Sequence, residues 1–211
     1  MSADRAIDAW LAELGFGLPG AAGRARAALE EARLTHPGKT RISDEKLARA
    51  LSALHGRFYL WCGAPGCERE ARASGREPVQ CEPRSRCERC GGSNNRRAEA
   101  ELVEAFRRKG TRRLVVVGGS PAVREELAAA LGGKLELRMI DGTERRTADR
   151  ARGDLEWADL VLVWGASELH HKVSTLYTQA GGAQRRKVVL VARRGVAALL
   201  AAAIEHLEKT S

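Results

Sequence analysis

Between Leu114 and Lys209 the sequence switches four times from a short apolar run to an amphipathic stretch of helical period. Leu114–Val117 is apolar at every position, which predicts a strand buried on both faces. Gly118 and Gly119 follow with backbone freedom and room for close approach. Ser120 and Pro121 then read as N-cap and first residue of a helix running to Leu131. Strand Leu135–Ile140 leads through Asp141-Gly142 to a helix around Ala148–Leu155, and strand Leu160–Trp164 leads through Gly165-Ala166-Ser167 to a helix around Leu169–Gln179. Strand Val188–Ala192 leads through Arg193-Arg194-Gly195 to helix Val196–Lys209. Four such units predict an α/β fold: a four-stranded parallel sheet, helices on both faces and right-handed crossovers. The expected strand order is 2-1-3-4, with the switch point between the first and third strands.

Nothing before Leu114 repeats that theme. Ile7, Trp10, Leu11 and Leu14 fall at helical spacing within residues 3–14, and Gly15, Gly17, Pro19 and Gly20 end that helix. A second helix is expected from about Ala21 to Leu34. A third is capped by Ser43 and lined by Leu47, Leu51 and Leu54. The segment between these two exceeds the short turn of a helix-turn-helix, so packing is the expected role of the pair. Gly38-Lys39-Thr40 resembles the end of a phosphate-binding P-loop, but Arg33 stands where the first glycine belongs and a helix precedes it. It reads as an ordinary loop.

All five cysteines, Cys62, Cys67, Cys81, Cys87 and Cys90, lie within 29 residues. Cys87-Glu88-Arg89-Cys90-Gly91-Gly92 has the form of a metal knuckle, whose glycines let backbone N–H groups turn toward sulfur. Cys62-Gly63-Ala64-Pro65-Gly66-Cys67 is a looser one. Together they can present four thiolates tetrahedrally to Zn²⁺, as in a small zinc ribbon. Disulfides compete with this reading, weakened by the odd count, and an iron–sulfur cluster lacks its usual C-x2-C-x2-C run. Cys81 is left over, a plain thiol or a substitute ligand for Cys67 or Cys87. Four thiolates leave no open position on the metal, so the site is expected to be structural and to fold a segment with little core of its own.

The net charge of +9 is unevenly spread, with 14 Lys/Arg against 8 Asp/Glu in residues 57–113. That excess points to nucleic acid or another polyanion, against the plainer reading of a solvated arginine-rich surface. Arg107, Arg108, Lys109, Arg112 and Arg113 form a basic collar after a helix expected from about Arg97 to Lys109. No apolar run approaches the ~20 residues of a membrane span, and Asp4, Arg5, Asp8 and Glu13 argue against a secretory signal. A cytoplasmic protein without membrane partners is expected. The expected organisation is a helical segment 1–56, a zinc-ribbon-like segment 57–97 and an α/β domain 98–211 whose lead-in helix is 98–109.

Val117-Gly118-Gly119-Ser120-Pro121, Asp141-Gly142, Ala158-Asp159-Leu160-Val161, His171 and Gly195 are spaced as in a bacterial family that residues 112–206 resemble, the domain of unknown function numbered 2325. The resemblance implies a Rossmann-like fold, carries no secure biochemical activity, and places one histidine after the third strand, in the register of His171. His170 stands beside it.

Ligands of an open parallel sheet collect beyond the C-terminal ends of its strands. The candidate ligand-binding residues there are Gly118, Gly119, Ser120, Asp141, Ser167, His171 and Arg193. Asp141 follows Gly119 by 22 residues, close to the ~20-residue offset of a ribose-binding acid. Against a dinucleotide site, the turn lacks G-x-G-x-x-G, and Pro121 removes an N–H. A small anionic, phosphorylated or nucleotide ligand remains the expectation. Two functions follow: a zinc-containing regulatory binding protein whose basic segment contacts nucleic acid or a protein, or an enzyme acting on a nucleotide or phosphoester with His171 as general base. The Gly- and Ala-rich C-terminal half also admits homo-oligomers.

Overall fold

Ile7, Trp10 and Leu11 turn inward from helix α1 (Ile7–Leu14) in a computed structural model that describes residues 4–210. Gly15, at φ 110°, closes α1 with its N–H on the Ala12 carbonyl. The helix starts later than the sequence suggests, because Arg5–Ala6 form strand β1, paired antiparallel with β2 (Arg41–Ile42). Ala3, the expected start, lies outside the described residues. Helix α2 spans Pro19–Glu31 rather than Ala21–Leu34. Pro19 occupies the first helical position, where its missing N–H costs nothing, and Arg33 breaks the far end at φ 56°. Helix α3 (Asp44–Arg57) begins after Ser43, whose hydroxyl makes no capping bond.

The cysteine-rich stretch departs most from expectation. It holds strand β3 (Phe58–Trp61), helix α4 (Pro65–Ala73) and strand β4 (Glu77–Gln80), with β3 and β4 parallel. A zinc ribbon closes each knuckle on an antiparallel hairpin; here both knuckles hang from a βαβ unit instead. The strands escaped detection because β4, Glu-Pro-Val-Gln, buries Val79 alone and carries a proline, which an edge strand tolerates. Residues 1–56 and 57–97 share one core: Leu11, Leu29, Leu54 and Phe58 cluster with Cys62, Cys67, Cys87 and Cys90. Phe16 meets Phe58 edge-on at 5.6 Å.

The chain divides into two compact units between Arg97 and Ala98. Helix α5 (Asn94–Lys109) crosses that point and begins three residues before its expected start. The second unit is α/β, with strands β5 (Arg113–Val117), β6 (Glu136–Ile140), β7 (Leu160–Trp164) and β8 (Val188–Val191). They pair in parallel in the order β6-β5-β7-β8, the 2-1-3-4 order expected. Helices α6 (Pro121–Leu131), α7 (Ala148–Trp157), α8 (His171–Thr178), the short α9 (Gly182–Arg185) and α10 (Val196–Lys209) alternate with them.

The continuous apolar strands are buried on both faces. Leu114, Val116, Leu160 and Leu162 pack with residues of α5, α6 and α10, while Val115, Val117, Val161 and Val163 pack with residues of α7 and α8. Asp159 caps the entry of β5 by accepting the N–H groups of Arg112 and Arg113 at 3.0 and 2.9 Å. No helix among the described residues is long and apolar enough to cross a membrane.

Candidate metal centre and ligand cleft

Cys62 leaves the end of β3, Cys67 sits in the first turn of α4, and Cys87 and Cys90 follow the 3-10 turn Arg84–Arg86. Their four Sγ atoms lie within 4.8 Å of one another, and all four residues are buried. Cys62–Cys90, Cys62–Cys67 and Cys67–Cys90 are separated by 3.6, 3.7 and 3.8 Å. A tetrahedron with metal–sulfur bonds of ~2.3 Å has edges of ~3.8 Å, so the sulfurs fit one ion. They are far beyond the ~2.05 Å of a disulfide, and all five cysteines are free thiols.

The sulfurs are held by backbone. The Ala64 N–H bonds Cys62 Sγ and the Gly92 N–H bonds Cys90 Sγ, each two residues on through a glycine of positive φ, Gly63 at 86° and Gly91 at 55°. Burial pushes the Cys67 and Cys90 thiols up. At Cys62 burial acts the same way, but the Ala64 N–H and the neighbouring thiols outweigh it and bring the pKa down to about 7. Such a buried quartet is stable as thiolates only around a cation.

Both inner residues of Cys87-Glu88-Arg89-Cys90 are structural. Glu88 accepts the Leu60 N–H at 2.9 Å and pairs with Arg76 at 2.6 Å, fastening the knuckle to β3. The Arg89 side chain, 3% exposed, pairs with Glu70 at 3.1 Å and donates to the Gly66 carbonyl, fastening it to α4. No local pattern in the sequence marks these clamps. Cys81 lies outside the quartet; its N–H bonds the Trp61 carbonyl at 2.8 Å, and burial followed by the charges of Cys87 and Cys62 pushes its thiol up to about 12.

In the second unit the turn after β5 meets the loops after β6 and β7. Gly118 and Gly119 take φ of 100° and 86°. Their N–H groups are already used: Gly118 donates to the Ile140 carbonyl at 3.0 Å and Gly119 to Ser167 Oγ at 2.9 Å. Ser167 Oγ in turn donates to the Trp164 carbonyl at 2.7 Å. A Cβ on Gly119 would stand 3.3 Å from the Trp164 ring, so the glycines admit protein rather than phosphate. Ser120 is exposed at the N-cap and its hydroxyl makes no capping bond.

Asp141 is also engaged. It accepts from the Thr143 hydroxyl and N–H at 2.7 and 2.8 Å and pairs with Arg124 at 2.6 Å, and these contacts, Thr143 first, lower its pKa. Arg124 Nη1 also donates to the Gly119 carbonyl at 2.5 Å. Gly118, Gly119, Asp141 and Ser167 thus come together, joined by Arg124 and Trp164, and they satisfy one another. Arg193 stands apart: its carbonyl accepts Trp164 Nε1 at 2.9 Å and its guanidinium acts on Glu205.

His171 opens α8, one residue after His170, whose N–H bonds the Gly142 carbonyl at 2.9 Å. Both histidines and Lys172 face an open cleft of about 890 Å³, whose other wall is the β6–α7 loop with Thr143, Arg145 and Thr147. Thr175 Oγ1 lies 3.4 Å from His171 Nδ1. Among the described residues no carboxylate hydrogen-bonds either histidine. Arg146, in the same loop, is anchored on Asp154, which is 2% exposed and also accepts from Tyr177 Oη at 2.7 Å and Arg138 at 3.2 Å. Glu144 also lines the cleft, but Arg145 and Lys172 outnumber it beside the helix N-terminus, an arrangement suited to anions.

No family model, curated protein or solved structure matches this chain.

Proposed function

We propose that this chain is a cytoplasmic, zinc-containing regulatory binding protein. Its first unit would be held by Zn²⁺ on Cys62, Cys67, Cys87 and Cys90, and its second, Rossmann-like unit would take a small anionic ligand in the cleft beside His171. The observation that carries the proposal is the buried quartet of thiols at tetrahedral spacing. An all-sulfur tetrahedral set suits zinc among common cellular metals. The ion would supply folding energy and no open coordination position.

The quoted motifs of residues 112–206 and the 2-1-3-4 sheet support grouping the second unit with the bacterial domain family numbered 2325. Ligand binding is assigned to the cleft rather than the glycine turn, whose N–H groups are consumed internally. Binding is favoured over catalysis because, among the described residues, no carboxylate hydrogen-bonds His171 to orient it as a base.

Ion pairing narrows the basic segment. Arg57, Arg72, Arg76 and Arg89 are paired with acids, whereas Arg84, Arg86, Arg96 and Arg97, which flank the second knuckle, form no ion pair among the described residues. These four are the proposed contacts to nucleic acid, a polyanion of matching charge.

Elemental analysis and native mass spectrometry of protein purified without added metal test the proposal. One zinc per chain is expected, together with binding of inorganic phosphate by calorimetry that is lost in His171→Ala/Lys172→Ala. Iron, a metal-free chain or a mass deficit from disulfides would overturn the zinc assignment. Unchanged phosphate binding in the double variant would overturn the cleft.

A further inference from the structure

The two edges of the four-stranded sheet are finished differently. Edge strand β6 carries charge: Glu136 pairs with Arg112 and Arg113, and Arg138 stacks on Trp157 and pairs with Asp154. Charged side chains of this kind protect an edge from further pairing. Edge strand β8 reads Val-Val-Leu-Val and pairs with β7 alone. Val161 donates to the Lys187 carbonyl at 2.8 Å and Gly165 to the Val191 carbonyl at 2.9 Å. Strand alternation therefore aims the N–H and C=O groups of Leu190 away from the sheet, and the trans peptide after the inward Val191 carbonyl does the same for the Ala192 N–H. Both residues are exposed, and Leu190, at 61%, is the exposed large hydrophobic residue among those described.

Basic residues bracket this edge, Arg185, Arg186 and Lys187 before it and Arg193 and Arg194 after it. Arg185 and Lys187 donate only to backbone carbonyls, of Thr178 at 2.7 Å and Ala158 at 2.8 Å. None of the five lies within ion-pair distance of an acid among the described residues, although Arg193 is close enough to Glu205 to act on it electrostatically. We propose that the β8 edge docks an extended segment of a partner protein by strand addition, and that the segment is apolar at its centre and acidic on both flanks. Main-chain hydrogen bonds at Leu190 and Ala192 would supply pairing, Leu190 the apolar contact and the bracketing cations the selection. A second copy of this chain fits poorly. Twofold antiparallel pairing centred on Leu190 sets Arg186 of one copy opposite Arg194 of the other, and like charges directly opposite are destabilising.

The test is fluorescence anisotropy of the full chain with a labelled peptide carrying a Val-Thr-Val-Thr centre between Asp-Glu pairs, against the same centre between Lys pairs. The acidic peptide should bind and the basic one should not. Leu190→Lys should weaken binding about tenfold without lowering the melting temperature, since the side chain is exposed. The double variant Arg186→Glu/Arg194→Glu, which lowers the bracketing charge from +5 to +1, should remove most of the preference for the acid-flanked peptide. In hydrogen exchange, the Leu190 and Ala192 amides should slow when peptide is added. Equal affinity for the two peptides, or none, would overturn the proposal. So would sedimentation of the free chain as a dimer that Leu190→Lys dissociates, since a second copy would then cover the edge.

Discussion

The Gly119 N–H donates to Ser167 Oγ at 2.9 Å, and that bond closes the turn after β5 against anions. Ser167 bridges two loops, since it also donates to the Trp164 carbonyl. Ser167→Ala should therefore cost about 1–2 kcal/mol in urea unfolding, because both bonds go and a buried N–H is left unpaired. Gly118→Ala should cost about 2–3 kcal/mol, given its φ of 100° and a Cβ placed 2.6 Å from Ser167 Oγ. The two are coupled. In a double-mutant cycle Gly118→Ala should cost less in the Ser167→Ala background, where the 2.6 Å clash is gone and backbone strain and the Trp164 carbonyl at 3.3 Å remain.

Asp154 holds the cleft wall. The residue is 2% exposed, and its carboxylate serves Arg146, Arg138 and Tyr177 together. Asp154→Ala leaves two guanidinium groups without their shared acid, and a loss of about 3–5 kcal/mol is expected. Hydrogen exchange should then rise first in the 143–147 loop that Arg146 anchors. Tyr177→Phe removes one hydrogen bond from the network and should cost about 1–2 kcal/mol.

The same tyrosine gives the unfolding free energy a pH slope. Burial, followed by the hydrogen-bonded Asp154, raises the Tyr177 phenol above its ordinary value. The folded chain then keeps a proton that the unfolded chain releases above pH ~10. Stability from this group is complete below that pH and falls as pH rises toward the folded pKa, by at most ~1.4 kcal/mol per pH unit. Urea titrations between pH ~9 and ~11 should show that decline in the second unit, and Tyr177→Phe should flatten it. Tyr59, raised by burial and then by Glu70, contributes the same sign in the first unit.

The second unit was legible because its signals are local. Leu114–Val117 and Leu160–Trp164 are apolar throughout, so period and burial agree, and β7 and α10 have the bounds the sequence predicts. The βαβ unit of the first was not legible, because Glu77–Gln80 becomes a strand through pairing with Phe58–Trp61, a contact between distant residues that no local pattern encodes. The thiol quartet was legible from spacing. Its clamps Glu88 and Arg89 were not, since a charged residue between two cysteines looks like surface until Leu60 and Gly66 are placed beside it. The glycine turn misled for the same reason: Gly-Gly-Ser-Pro shows freedom to bind, while Ser167, which consumes it, lies 48 residues away.

The four quartet cysteines and Cys81 should separate cleanly. Cys62→Ser, Cys67→Ser, Cys87→Ser or Cys90→Ser removes one corner of a buried tetrahedron and should reduce bound metal below one equivalent and lower the melting temperature of the first unit. Cys81→Ser should keep the full equivalent, since Cys81 lies outside the quartet and its thiol is held neutral. Arg89→Ala tests the clamp separately. It deletes the contacts to Glu70 and the Gly66 carbonyl while leaving all four sulfurs. Metal should remain bound at stoichiometry but be lost faster to a chelator, by about tenfold to a hundredfold, the range found for residues that orient ligands without touching the ion. Release monitored by a colorimetric chelator distinguishes the cases. If Cys81→Ser loses metal as the others do, the quartet is misassigned, and if Arg89→Ala releases it at the parent rate, the knuckle holds its shape without that clamp.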